Sequence, residues 1–278
     1  MKKPLVSVLM TIYNHESFLK KSLNSIITQN YKNWELIAID NGSSDKSKKI
    51  LERIKDKRIK KKFLVKNIGR TNCLNYGLKF CKGKYIAILD SDDLAKKNRL
   101  VIQVNRMEKN NNLWLTSSNY NLIDTKNKLI GDRNINIDLN KKPRRILYEN
   151  IIAHSTVLYK KKLIQRIGNY PNKFKYAQDY AFYLKAFKKF KLEIYKEKLI
   201  SLRIAHKDSE TFRQSKSKLI ILEEIKLLLW SYNNFKFSYN EKFFLYSSFL
   251  KKIFKLIKPN YLISMSLIIL LFLASFFA

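Results

Sequence analysis

Proline and glycine are both scarce, at 4 and 6 residues in a chain of 278, which excludes collagen-like and linker-like chains. Only two cysteines are present, Cys73 and Cys81, too few for a disulfide framework and without a CxxC spacing. In a predicted helix they stand about 12 Å apart along the axis, too far to bridge, and a reducing setting is the simplest one. Acidic residues are the minority sign: 22 Asp plus Glu against 56 Lys plus Arg leave a formal charge of +34. There is no GxxxxGK[ST] and no GxGxxG, which argues against P-loop and Rossmann-fingerprint nucleotide sites. Helix-turn-helix, RRM and zinc-finger patterns are missing too, so a nucleic-acid-binding module has only the net charge in its favour.

What is present is a chain able to bury a core, 46% hydrophobic and 13% aromatic, so disorder is excluded as the main state. A charge of +34 nominates nucleic acid, an anionic membrane surface or an anionic small substrate. Lysine spread over solvated faces by compositional bias is the bland alternative. Met1-Lys2-Lys3 before an apolar run imitates a signal peptide, but Leu5 to Ile12 ends without a small-residue cleavage site and reads as a buried strand.

The last residues differ from everything before them. Tyr261 to Ala278 carry no charge and read YLISMSLIILLFLASFFA. As a helix they would extend about 27 Å, just short of a hydrocarbon core of about 30 Å. A membrane anchor over 259–278 is expected, with a buried terminal helix or a dimer contact as the alternative. The preceding segment, 212–258, has no acid after Glu241, only Lys242, Lys251, Lys252, Lys255 and Lys258. Helical spacing puts Tyr246, Phe249, Leu250, Ile253 and Ile257 on one face and Lys251, Lys252, Lys255 and Lys258 on the other. That is a basic amphipathic helix suited to an anionic leaflet, the alternative being a surface helix packed on the domain. The positive-inside rule then sets residues 1–258 at the cytoplasmic face.

The first hundred residues alternate strand and helix patterns. Strands are expected at Val6–Met10, Glu35–Ile39, Lys62–Val65 and Tyr85–Leu89. Helices are expected at Phe18–Thr28, after a cap at Ser44 or Asp45, and at Thr71–Phe80. Apolar strands alternating with helices imply an α/β fold, a single Rossmann-like, mostly parallel sheet flanked by helices. Ligands bind such sheets outside the carboxyl ends of the strands. Those ends carry Thr11, Tyr13 and Asn14, then Asp40-Asn41-Gly42-Ser43, then Asp90-Ser91-Asp92-Asp93. Acids recurring at one edge of so basic a chain repel one another unless something positive sits among them, which points to a divalent cation and a nucleotide. A helix-starting Asp explains one or two of them but not their recurrence.

With its later stretches, the chain resembles an inverting family 2 glycosyltransferase of the A-type nucleotide-diphospho-sugar transferase fold. Val6–Asp45, Asn67–Asp93, Ala153–Tyr170, Ala177–Phe190 and Leu199–Thr211 carry the resemblance, in the family's order and spacing. It implies a catalytic domain over 1–211, with a nucleotide-sugar-binding half (1–110) and an acceptor and base half (111–211). It also implies that Thr11, Tyr13, Asp40 and Asn41 hold the base and ribose, and that Arg70 contributes to the donor site. Asp90-Ser91-Asp92 matches the DxD motif, Asp90 toward ribose or sugar and Asp92 toward Mg²⁺ or Mn²⁺. Asp179 matches the acceptor-activating base, and His206 a basic position near the diphosphate. Three departures stand out: Asn41 where many members have a second Asp, Gln178 where Glu is usual, and two residues between Arg203 and His206 where one is commoner.

Expelling a diphosphate from an anomeric carbon gathers negative charge that a metal neutralises, while the acceptor hydroxyl gives its proton to a carboxylate. Asp179 opens a predicted helix sharing its face with Phe182, Tyr183, Ala186 and Phe190, so it points inward. One displacement without a covalent intermediate would invert the anomeric centre. The leading expectation is therefore sugar transfer from a UDP-, GDP- or dTDP-linked donor to a lipid-linked or surface-glycan precursor at a cytoplasmic membrane face. A polyprenyl-phosphate sugar synthase is the close variant. A membrane scaffold with a dead transferase fold is disfavoured by Asp40, Asp90, Asp92 and Asp179 together.

Overall fold

Four strands, Val6–Ile12 (β1), Trp34–Asp40 (β2), Ile59–Phe63 (β3) and Tyr85–Ile88 (β4), run parallel in the order β3-β2-β1-β4. Their side chains alternate between two cores, Leu9, Ile37, Ile39 and Ile88 on one face and Val8, Met10, Ala38 and Ala87 on the other. Helix α1 (Glu16–Ile27) closes the second face with Leu19, Leu23 and Ile26, α2 (Ser47–Arg53) follows β2, and α3 (Arg70–Leu78) closes the first face with Cys73 and Leu74. The third strand lies earlier than its sequence suggests. Ile59 is buried against β2, whereas Val65 is fully exposed where the chain leaves the sheet. The computed structural model describes residues 3–135, 139, 145–204 and 218–256.

The second half corrects the expectation of a mostly parallel sheet. After β5 (Leu94–Ala95) and α4 (Arg99–Lys109) come β6 (Leu113–Ile123), β7 (Leu129–Arg133), α5 (Arg145–Tyr148), β8 (Leu158–Lys160), α6 (Lys162–Ile167), α7 (Gln178–Phe187) and β9 (Lys191–Arg203). The sheet order is β3-β2-β1-β4-β8-β6-β9-β5, with β7 paired to β6. Strand β8 enters antiparallel to both β4 and β6, and β5 is antiparallel to β9, so the sheet is mixed. Strand β6 is buried yet polar through Thr116, Ser117, Ser118 and Asn119, each with a hydrogen bond. Asn119, for example, donates to Lys196 O at 3.1 Å and accepts from Ile135 N at 2.7 Å.

Residues 218–256 form two helices, α8 (Lys218–Asn234) and α9 (Tyr239–Leu256), packed against each other, with α9 also on α5. Helix α9 buries Leu245, Ser248, Phe249 and Lys252 against the body. Ser248 donates to Tyr148 O at 2.5 Å, and Lys252 Nζ stands 2.6 Å from Glu224 of α8. Lys252 is thus drawn inward by a carboxylate rather than left on the outer basic face. Glu223, beside it, accepts the N–H groups of Lys175 and Tyr176. Among the described residues no helix is long and apolar enough to cross a membrane. The expected anchor at 259–278 and His206 lie outside the described residues.

Candidate active site

Parallel pairing aligns the carboxyl ends of β1, β2 and β4, with Ile12 opposite Asp40 and Leu9 opposite Ile88. Thr11, Tyr13, Asp40 and the 90–93 turn therefore emerge along one edge. Asn14, in a left-handed conformation at φ 54°, ties the first two loops together. Its N–H donates to Ser43 Oγ at 3.1 Å, and its Oδ1 accepts from Ser44 N at 2.9 Å. Thr11 is half-buried and Tyr13 is 44% exposed. Asp40 is 1% exposed; one oxygen accepts from Ser43 N at 3.2 Å, while Oδ1 has no hydrogen-bond partner among the described residues. A buried carboxylate oxygen in that state calls for a donor group. Asn41 turns the other way, donating to Asn67 Oδ1 at 3.0 Å and accepting from Ile68 N at 3.1 Å, so its amide braces the loop before α3.

The acidic turn after β4 is held by arginines. Arg70 Nη2 lies 2.8 Å from each carboxylate oxygen of Asp90. Burial alone would raise the Asp90 carboxyl, but the Arg70 cation and a contact with His154 hold it well below the usual range. Arg203, 1% exposed, donates from its backbone N to Asp93 at 2.8 Å and from Nε to Asp92 O at 2.9 Å. Beneath the turn Arg99 is wholly buried, donating to Ile88 O at 2.9 Å and Val157 O at 3.1 Å. Burial pushes it down to about 9 against the pull of Asp93 and Asp90. Asp93 also accepts from Ser155 Oγ at 2.5 Å, and burial with the neighbouring Asp92 and Asp90 charges pushes it well up. Asp93 is thus structural, while Asp92 sits half-buried at the turn. Ser91 meets His15 Nδ1 at 2.7 Å.

The second half of the chain brings His154 and Asp179 to this turn. His154 is 6% exposed, with Nδ1 3.1 Å from Arg70 Nη2 and Nε2 3.3 Å from the Tyr170 hydroxyl. Tyr170 stacks on Phe182 of α7, ring centroids 4.6 Å apart. Asp179, in the first turn of that helix, accepts from the N–H of Tyr180 at 2.7 Å. Burial raises its carboxyl, while the nearby His154 and Arg70 lower it. The buried Gln178 faces the carbonyls of Lys175 and Tyr176; with its amide nitrogen on that side it donates to both at 3.0 Å. A Glu carboxylate lacks those donors.

Of the residues nominated by sequence, Arg70, Asp90 and Asp179 share one electrostatic cluster, and Thr11, Tyr13, Asp40, Ser91 and Asp92 line the same edge. Asn41 is directed to a loop. His154 and His15, which lay within motif stretches without a role, join them, as does Arg203, named in the sequence only for its spacing to His206. Among the described residues no three His, Cys, Asp or Glu side chains group to hold a metal ion alone. One carboxylate at Asp92 suits a cation whose other ligands are diphosphate oxygens and water, the habit of Mg²⁺.

The profile described as Glycosyl transferase family 2 matches residues 7–195. An uncharacterized glycosyltransferase of Haemophilus influenzae is 35% identical over 237 residues, covering 84% of this chain and 88% of that protein. The Escherichia coli UDP-Glc:alpha-D-GlcNAc-diphosphoundecaprenol beta-1,3-glucosyltransferase WfgD is 39% identical over 128 residues, 45% of this chain and 49% of WfgD. Among solved structures, Staphylococcus aureus TarS 1–349 with UDP-GlcNAc superposes with a TM-score of 0.70 at 20% identity, covering 92% of this chain and 74% of that one. The Pyrobaculum calidifontis mannosyltransferase PcManGT with GDP-Man and Mn²⁺ also gives 0.70, at 16% identity, covering 92% of this chain and 73% of that one.

Proposed function

The chain belongs to glycosyl transferase family 2, and from that premise we propose that it moves one sugar, with inversion, from a nucleotide-diphospho-sugar to a hydroxyl of a lipid-linked acceptor. The reading places the reaction at the cytoplasmic face of an anionic membrane. The observation that carries it is the meeting of Asp90 and Asp179 around Arg70 and His154. Donor-side and acceptor-side carboxylates thus share one wall. In this reading Asp40 presents its unpartnered Oδ1 to a ribose or base donor, Asp90 orients the sugar, and Arg70 exchanges Asp90 for the donor's phosphates. Asp179 accepts the proton of the attacking hydroxyl, its carboxylate steadied by the Tyr180 N–H. Asp92 would hold Mg²⁺ or Mn²⁺, which would supply charge neutralisation at the departing diphosphate. The lipid-linked acceptor is suggested by WfgD, whose name gives a diphosphoundecaprenol-linked sugar as its acceptor.

A thermal-shift panel of UDP, GDP, dTDP and their sugars, with and without Mn²⁺, tests the donor half. One diphosphate should stabilise the protein, and only with metal, because a ligand stabilises the state it binds. No response to any of them would sink the reading.

A further inference from the structure

Helix α9 presents three faces where the sequence suggests two. Leu245, Ser248, Phe249 and Lys252 face the body. Tyr239, Phe243 and Phe254, spaced four and eleven residues apart, lie on another face with exposures of 78%, 61% and 53%. Leu250 falls on the same line, half-buried. Between stripe and body run Lys251 and Lys255, both exposed. The apolar arc predicted from sequence is therefore split: Phe249 turns into the core, and its neighbour Leu250 borders solvent.

Beside the lysines opens a cavity of about 190 Å³ lined by Glu149, Glu224, Lys251, Lys252 and Lys255. It holds three ammonium groups to two carboxylates, a surplus of positive charge next to an aromatic stripe. No acid follows Glu241 in the sequence, and Tyr261–Ala278 continue without any charge. Aromatic side chains beside a lysine rail match a bilayer interface, with rings at the acyl boundary and ammonium groups at anionic headgroups. A second copy of the chain fits worse, since a two-fold contact would set these lysines near their own equivalents.

We propose that the Tyr239–Phe243–Phe254 stripe of α9 seats the protein on an anionic phospholipid bilayer, with Lys251 and Lys255 toward the headgroups. This rests on the lipid-linked-acceptor reading and names the surface that serves it.

The test uses the full chain carrying Phe243→Cys or Phe254→Cys, labelled with an environment-sensitive fluorophore. Cys73 and Cys81 are buried and escape the label. Lys126→Cys, on the exposed turn between β6 and β7, is the control. With phosphatidylcholine vesicles containing phosphatidylglycerol, labels at 243 and 254 should shift to the blue and be quenched by acyl-chain nitroxide lipids, and the control should not. Phosphatidylcholine alone should give a weaker response. Flotation of the protein with vesicles while both labels still report water would overturn the proposal, as would no flotation at all. The donor-dependent thermal shift without vesicles is indifferent to either outcome, so failure here is separable from failure of the transferase reading.

Discussion

The hydrogen bond between Arg70 and His154, 84 positions apart, runs in one sense only. A guanidinium offers no lone pair, so Arg70 Nη2 donates to His154 Nδ1 at 3.1 Å when that nitrogen is unprotonated, and a protonated Nδ1 has Asp90 Oδ1 at 3.5 Å as its partner instead. The same Nη2 straddles both oxygens of Asp90. His154 thereby sets where Arg70 stands over the acidic turn, as a positioning residue. His154→Ala should raise the donor KM by on the order of tenfold, about 1.4 kcal/mol, and should add little in an Arg70→Ala background. Additive losses across the double-mutant cycle would show that His154 acts independently of Arg70.

Asp179→Asn should lower the transfer rate by roughly 10²–10⁴-fold, the contribution of a positioned base, with donor binding retained. Burial raises the Asp179 pKa in the folded protein. Its protonated form therefore favours folding at low pH, and that stability is lost as pH rises through the raised value. At neutral pH the Asn variant should melt no lower than the wild type. In the wild type, the acid limb of kcat/KM should lie above the ordinary aspartate value of about 3.9. A limb at or below that value would remove Asp179 from the role.

Asp92 and Asp93 adjoin but should fail differently. Asp92→Asn should abolish the Mn²⁺-dependent stabilisation by nucleotide and leave the unliganded melting temperature nearly unchanged. Asp93→Ala strips a buried acceptor from Ser155 Oγ and Arg203 N and should cost roughly 1–3 kcal/mol in denaturant unfolding. Equal melting temperatures for the two variants would contradict the division.

Gly42 and Gly69 both have positive φ, at 73° and 82°, yet differ in surroundings. A Cβ on Gly42 would stand 2.5 Å from the backbone carbon of Lys66, while one on Gly69 meets nothing within 4 Å. Gly69→Ala should cost roughly 1–3 kcal/mol from backbone conformation alone, because φ 82° with ψ 153° is a region essentially confined to glycine. Gly42→Ala should cost more and weaken nucleotide binding, because it pushes away the loop that Asn41 braces. Equal unfolding midpoints would refute the steric argument.

Strands β1, β2 and β4 and helices α1 and α3 are legible in the sequence because both faces of these strands are apolar. The second half is less so. Thr116–Asn119 are buried polar residues, of which Ser117 and Asn119 find partners in distant segments while Thr116 and Ser118 bond to the next carbonyl along the strand, β8 has three residues, and β5 has two. The same physics divides the site. Acids at strand ends are conspicuous in so basic a chain, whereas Arg203 acquires its place only when folding brings it to Asp93, 110 positions earlier. Gln178 looks like the loss of a carboxylate; with its amide nitrogen toward the Lys175 and Tyr176 carbonyls it instead ties down the loop before Asp179.

Glu223 and Glu224 are consecutive, yet one grips the backbone three residues before Asp179 and the other grips Lys252 of α9. A helical turn is stiff, and packed interiors pass displacement on rather than absorbing it. Helix α8 therefore works as a yoke. Through adjacent residues it joins the backbone just before Asp179 to the Lys252 side of α9, so a substitution at Glu224 falls one position from the contact that holds that backbone.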